Sequence, residues 1–237
     1  MASEKRWTQI VRDGATIVIS ILLAFGIDAS WERFQARRDA LDSLERVVAE
    51  VGQARTEMAG GEAFQERLLV ATELLVDVVL ELEPGSIVTV PDSLLLGVLG
   101  WQVVEVSTNN VASFVASESF ELLGDVELRK AIGRWIPSLE DQRDDQLNLR
   151  RLKDEQIHPV LRRSSDIAGA QLTLNAMMLE GAHSAGGGVT EIFVTDELVA
   201  LLVRASFQEA LDRRQRDAID QLADEIQTRA RAVLRRD

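Results

Sequence analysis

Between Asp13 and Asp28 the chain runs GATIVISILLAFGI, fourteen residues without a charge. In a sequence where 27% of residues are charged, a run of this kind has to be buried against something, although it falls short of the ~20 residues that a bilayer core asks of a helix. Trp7 and Trp31 bracket it, 24 residues apart, and a helix of that length rises about 36 Å. One indole then falls near each interface of a ~30 Å hydrocarbon layer. A secretory signal has a similar apolar stretch, with small residues near Ala29-Ser30 as its cleavage site. The paired tryptophans favour a retained transmembrane helix over residues 14–30, with a short tail, 1–13, before it and an acidic helical body, 31–237, after it.

Within this helix Arg12, Thr16, Ser20, Ala24 and Asp28 recur every four residues and form one stripe of small or polar groups. Small and hydroxylated residues let helices approach closely and hydrogen-bond inside a bilayer. Thr16, Ser20, Ala24 and Asp28 are therefore the expected helix–helix interface with a membrane protein partner, and Trp7 and Trp31 the expected anchors in the lipid bilayer. The bland reading is that Arg12 and Asp28 reach for the two headgroup layers and the hydroxyls bond back to their own helix. Lys5, Arg6 and Arg12 precede the run, while Arg33, Arg37, Arg38 and Arg46 follow it. The positive-inside count nearly ties, with a lean to an inside N-terminus and a periplasmic body.

The body reads as helix. Tyrosine is absent, and Ala, Leu, Glu, Arg, Gln and Val make up long stretches with few Gly or Pro inside them. All of the −13 net charge belongs to residues 31–237, because Lys5, Arg6 and Arg12 balance Glu4, Asp13 and Asp28. An acidic body repels phosphates, which argues against a nucleic acid partner. The lack of cysteine removes disulfides, thiolate nucleophiles and cysteine-based metal sites.

Residues 31–58 predict a helix continuing out of the membrane, with Leu41, Leu44, Val48, Val51 and Met58 on a three-four spacing that Arg55 interrupts. Gly60-Gly61 is expected to end it. A second helix, about 62–82, is apolar nearly all round apart from Glu73, Asp77 and Glu81, which suggests the middle of a bundle. A loop, a short helix and an extended return follow Pro84-Gly85. Asp125 opens a long helix that Pro137 should kink and Pro159 should end or bend. After a turn near 164–166 and the break Gly186-Gly187-Gly188, Thr195 or Asp196 can cap another helix. A final helix from about Ser206 sets Leu211, Ala218, Leu222, Ile226 and Val233 along one face. At about 46 Å it nearly matches the ~42 Å of helix 31–58, so the two are expected to pair antiparallel. Leu222 would then face Leu44, and Arg229, Arg231, Arg235 and Arg236 would return toward the membrane. The fold class expected is all-α: a transmembrane helix running into a bundle with long, coiled-coil-like antiparallel helices.

Two segments carry a resemblance. Leu22-Leu23-Ala24-Phe25-Gly26-Ile27-Asp28-Ala29-Ser30-Trp31, followed by Arg33, Arg37-Arg38 and the leucines of DALDSLERVVAEV, is similar to the L-L-A-F-x-I-D-A-x-W anchor of a widespread family of uncharacterised bacterial inner-membrane proteins. Ser117 to Arg129, SESFELLGDVELR, is similar to that family's S-S-G-x-L-x-x-I-x-x-x-x-L-R turn and helix, with Ser119 where the family has glycine. The TDELVALL pattern before the terminal helix also looks alike. The resemblance implies a single-pass protein of the bacterial inner membrane with a helical body, and no established activity.

Both histidines stand in Glu-x-x-His: Glu155 with His158, and Glu180 with His183. Paired copies of this spacing build carboxylate-bridged di-metal sites in bundles. Against that reading, Pro159 follows His158, glycines flank His183, and the two would lie at different distances from the turn between their helices. No triad motif, nucleophile elbow or phosphate loop is present, and Glu140-Asp141 with Asp144-Asp145 lack the loop spacing of an EF-hand. No catalytic residue, cofactor or metal is expected. The sequence points first to a non-catalytic accessory subunit of a larger membrane assembly, respiratory or photosynthetic in kind. A sensory module transmitting ligand binding across the anchor is the alternative, though a tail of thirteen residues is too short for an output domain. A di-metal carboxylate enzyme is the third reading.

Overall fold

The computed structural model describes the backbone of residues 2–180 and 188–235, and side chains from residue 20 on apart from residue 173 and residues 176–180. Helix α1 (Ala2–Leu80) is continuous. A short strand β1 (Ile87–Pro91) leads into α2 (Asp92–Leu99), an irregular stretch, and the short helices α3 (Asn109–Val115) and α4 (Glu118–Glu121). Helix α5 (Val126–Leu152) passes through a π-helical turn, Lys153–Ile157, into α6 (His158–Ser164). Then come α7 (Ala168–Glu180), β2 (Val189–Phe193) and the long α8 (Asp196–Leu234).

The expected break at Gly60-Gly61 does not occur. Two helical glycines cost roughly 2 kcal/mol relative to alanine, and packing offsets this because the buried stripe of α1 stays in phase through them. Ala40, Leu44, Val47, Val51, Ala54 and Met58, then Gly61, Gln65, Leu68, Thr72, Leu75 and Val79, are all buried, at alternating steps of four and three. Arg55 is no interruption. It sits on the flank of this stripe and reaches Asp220 (Nε to Oδ1, 2.7 Å) and Asp224 (3.3 Å) on α8. The second half of α1 is not central either: Val70, Leu74 and Leu80 are exposed beside the expected acidic stripe of Glu73, Asp77 and Glu81.

Helix α8 repeats the pattern. Leu198, Leu202, Ala205, Glu209 and Asp212, and after half-buried Arg216 also Ile219, Ala223, Ile226 and Ala230, keep the same four-three steps. Thr195 is its N-cap, accepting from Leu198 N at 3.1 Å, and the helix runs from there to Leu234 without restarting near Ser206. Leu211 and Ala218, expected in the core, are exposed. In α5, Leu128, Ile132, Trp135, Leu139, Gln142, Gln146 and Leu149 follow the same steps, which Lys153 at the start of the π turn continues, and Asp125 caps the start of α5 by accepting from Leu128 N (3.0 Å). The same four-three spacing of buried positions therefore runs along three helices.

The expected antiparallel pairing of α1 with α8 is present. Glu66 meets Arg213 (3.1 Å) and Arg55 meets Asp220 and Asp224, while Gly52 lies against Gln227. Its register is displaced from the expected one: Leu222 lies near the level of Glu57, and Leu44 near the last turn of α8. The C-terminal arginines therefore end about 20 Å of helix away from Trp31; Arg229 is held by Glu225 (2.8 Å) and Asp125 (3.7 Å), and Arg236 lies outside the described residues. Helix α5 also runs antiparallel to α8, with Asp125 near Arg229 and Lys153 near Glu209.

Between α1 and α5 the chain descends along α1 as a broken element. Gly97 packs against Thr72 so closely that no Cβ would fit, and Gln102 lies against Gly61. Lower down, Glu50 accepts from Val111 N (2.8 Å) and Ser107 Oγ (2.9 Å), which fixes the start of α3. The far end of the body is closed by a two-stranded antiparallel sheet with Val90 opposite Thr190, an exception to the expected all-α fold. Thr190 Oγ1 donates to the buried carboxylate of Asp92 (2.7 Å) and so ties β2 to α2.

Neither proline stops its helix in the way expected of Pro159. Pro137 lies inside an unbroken α5. Pro159, which has no N–H to give, sits at the start of α6 directly after the π turn; the wider loop of π bonding absorbs the missing donor without stopping the helix.

Candidate functional site

The first candidate region is the part of α1 that leaves the body. From residue 20 to residue 39 no side chain is buried, and burial begins at Ala40. Leu22, Leu23, Phe25 and Ile27 are 60–67% exposed, and Trp31 is 63% exposed with its ring centroid 6.0 Å from that of Phe34. Between Ile21 and Ile27 exposed apolar side chains thus point in several directions around the helix, beside the small residues Ser20 and Ala24. Of the residues expected at a helix–helix interface, Ser20, Ala24 and Asp28 stand exposed on this segment; the side chains of Thr16 and of the expected anchor Trp7 lie outside the described residues. Among the described residues no helix is long and apolar enough to cross a membrane. The uncharged run at 14–27 falls partly outside them.

The second candidate region is inside the body. Its apolar core is two clusters, not one. The cluster nearer the projecting helix takes its α1 members up to Met58, its α5 members up to Leu139 and its α8 members from Ile219 onward. The far cluster begins at Leu68 on α1 and Leu149 on α5, and ends at Ala205 on α8. What separates them is a buried polar belt at the same heptad positions: Gln65 from α1, Gln142 and Gln146 from α5, Lys153 from the π turn, and Glu209, Asp212 and Arg216 from α8. The descending segment adds Gln102.

Lys153 is fully buried. Its ammonium donates to Gly97 O (2.5 Å), to Gly100 O (2.8 Å) and to the Glu209 carboxylate. Gly97 lies in the last turn of α2 and Gly100 is its C-cap, the end at which the helix dipole favours a cation. Three acceptors from two segments thus surround the nitrogen and fix its position. Next to it, Gln146 joins three elements, accepting from Val104 N (3.0 Å) and donating to Asp212 Oδ1 (3.1 Å). Asp212 pairs with Arg216 (3.2 Å), whose Nη1 donates to Gln65 Oε1 at 2.5 Å. Burial pushes the Glu209 carboxyl above the ordinary range, with Lys153 pulling the other way; burial likewise raises Asp212 against the pull of Arg216. At the rim the Arg150 guanidinium lies 3.8 Å from the ring centre of Trp101.

Of the two histidines, His158 is the one among the described residues. His158 Nε2 lies 3.2 Å from Val98 O, so the ring caps α2 beside Lys153, and burial lowers its pKa. Glu155 is exposed: the π turn breaks the face that a regular helix would have given the pair. His183 and the Glu180 side chain lie outside the described residues. Among the described residues no group of three His, Cys, Asp or Glu side chains could hold a metal ion.

The belt was missed in the sequence because its members are polar residues at core positions. The signal was present in the unbroken four-three phase that continues through them. Comparison with known protein families, with curated proteins and with solved structures gives no match.

Proposed function

We propose that the chain is a non-catalytic, membrane-anchored interaction protein, an accessory subunit of a larger assembly of the bacterial inner membrane with its body outside. One observation carries this reading: beyond Ala40 the helix projects with Ile21, Leu22, Leu23, Phe25 and Ile27 exposed in several directions. Each such side chain gains roughly 1.5–3 kcal/mol when removed from water, and a soluble monomer rarely leaves so continuous an apolar surface bare. A helix apolar on one face would suit a partner groove; one apolar in several directions suits lipid, with the small stripe of Ser20 and Ala24 left for a partner helix. In the sequence the uncharged run begins at residue 14, and the resemblance to single-pass inner-membrane proteins supports the same reading.

The test is alkaline carbonate extraction of membranes that express the chain, followed by co-purification from detergent. Retention in the pellet, with specific partners that are lost in Ala24→Leu, is expected. Release into the supernatant overturns the anchor.

A further inference from the structure

A surface helix in water is expected to keep its outward side polar, yet in the half of the body far from the projecting segment part of the outward side of α1 and α8 is apolar. Val70 and Leu74 on α1 and Val203, Phe207 and Leu211 on α8 are exposed, Phe207 to 69%. Each stands two residues from a member of its helix's buried stripe, which at about 100° per residue puts it on the opposite side. Both stripes pack on the same two apolar clusters, so these side chains share one outer face. Their levels coincide as well. Glu66 meets Arg213 and Gly52 lies against Gln227, so each step up α1 is matched by one step back along α8, and Phe207 falls level with the space between Val70 and Leu74. Exposed charges accompany the patch with opposite sign on the two helices: Glu73, Asp77 and Glu81 on α1, Arg204 and Arg214 on α8. None of these side chains forms an ion pair with another described residue. Nearer the projecting segment the two helices instead pair their charges within the chain, Arg55 with Asp220 and Asp224.

We propose that this face is the interface of a homodimer, in which a second copy of the chain lays its own α1–α8 face over it about a two-fold axis running along the helices. Each α1 then covers the α8 of the other copy. Scattered apolar side chains on a surface are ordinary, but a contiguous apolar face marks an interaction site, and the charges select the occupant. A two-fold along the helices sets the acidic side of α1 against the basic side of α8 from the other copy, twice over by symmetry. A two-fold across the helices would set α1 on α1 and stack Glu73, Asp77 and Glu81 against their own copies. Rotation about the helix direction also preserves level. Phe207 of one copy is therefore delivered between Val70 and Leu74 of the other, and Asp77 comes within about 3 Å of axial rise of Arg204 of the other. An unrelated partner would have to carry the same acidic, apolar and basic order in reverse; a second copy carries it by construction. The same axis points both projecting α1 helices the same way, as two anchors in one membrane require, although the dimer itself does not rest on the anchor.

The experiment uses the full chain purified in detergent. Light scattering corrected for bound detergent should give twice the chain mass, and Phe207→Glu should weaken association roughly tenfold or more, as loss of a central aromatic anchor does, with helix content unchanged because that side chain is exposed in the single chain. Asp77→Arg should weaken it too, and adding Arg204→Asp to the same chain should restore it. Orientation is read by mixing differently tagged Val70→Cys and Leu211→Cys forms and treating them with a short bifunctional thiol reagent: the two tags should be joined to each other in preference to either form joining itself, since position 70 of one copy lies diagonally across from position 70 of the other. A wild type that is monomeric throughout, a Phe207→Glu variant that associates like the wild type, a double charge swap that stays as weak as Asp77→Arg alone, or preferential joining of like to like overturns the proposal. The anchor stands or falls separately: a chain retained by carbonate-washed membranes but monomeric in detergent sinks the dimer alone, and a dimer released by carbonate sinks the anchor alone.

Discussion

Lys153 and Glu209 form an ion pair in the interior of the body, their side chains 0% and 6% exposed. Taking two charges out of water costs several kcal/mol each, and attraction offsets this only where geometry and further hydrogen bonds are good. The two α2 carbonyls supply those bonds for Lys153. Since leucines at these positions would pack between two apolar clusters with no such cost, the pair is better explained by specificity: four segments meet at the belt in only one register.

Removing one partner should therefore cost far more than removing both. Lys153→Met leaves the Glu209 carboxylate buried and uncompensated, and a loss of about 3–5 kcal/mol is expected. The double variant Lys153→Met, Glu209→Leu should recover most of this, measured as denaturation free energies in a double-mutant cycle. Additive losses would show that the two residues do not act as a pair.

The pH dependence has a definite sign. Glu209 and Asp212 both titrate above their ordinary values in the folded state because they are buried, so there the native state holds more protons than the unfolded one. Their contribution is fully present below the unfolded values of about 3.9–4.3 and is lost as pH rises through the raised ones. His158, lowered by burial, acts the opposite way near neutrality: its contribution is present above the unfolded value of about 6.5 and is lost as pH falls toward the folded one. The difference between wild type and Asp212→Asn isolates the carboxyl. Between pH 4 and 8 the variant should lose less stability on raising pH than the wild type, as read from urea midpoints; parallel curves would count against a raised Asp212.

The register of α1 on α8 can be checked by cross-linking in a chain without native cysteine. Glu62 and Asp217 line one groove between these helices, so cysteines placed there should be joined by a short bifunctional reagent. Cysteines at Leu44 and Leu222 should not be, since they lie about 20 Å apart along the pair.

The sequence made some of this legible and hid the rest for a physical reason. Thr195 could be read as a helix cap, because a side-chain oxygen before an amphipathic run has one obvious use, and Asp125 as the start of a long helix. The antiparallel pairing followed from two long apolar faces. The register did not, because the eye follows apolar residues: Leu41, Val48, Leu211 and Ala218 were chosen for the core in place of Ala40, Val47, Asp212 and Ile219. In the belt, Gln65, Gln142, Gln146, Lys153, Glu209 and Asp212 occupy core positions and mutually satisfy one another, which hydropathy alone cannot reveal. Strand β2 pairs with β1 from a hundred residues away, and its five residues carry no local signal that would separate them from a loop.

Gly60 and Gly61 provide the sharpest test of the continuous heptad, since the same substitution at adjacent positions should act in opposite directions. Both lie within α1, where glycine costs roughly 0.5–1 kcal/mol relative to alanine through backbone entropy. Gly60 is exposed, and a Cβ built on it meets nothing within 4 Å. Gly60→Ala should accordingly stabilise the protein by about that amount. Gly61 is buried in the stripe, where a Cβ would stand 2.9 Å from the Gln102 amide nitrogen and 3.2 Å from its carbonyl carbon and oxygen. Gly61→Ala gains the same helix propensity but drives Gln102 out of the belt, and crowding a packed interior typically costs about 1–3 kcal/mol. A net loss is expected, with a lower thermal midpoint than the wild type, while Gly60→Ala rises above it. If instead the pair ended the helix, as the dipeptide suggests on its own, both alanines would extend it alike and the two midpoints would move together.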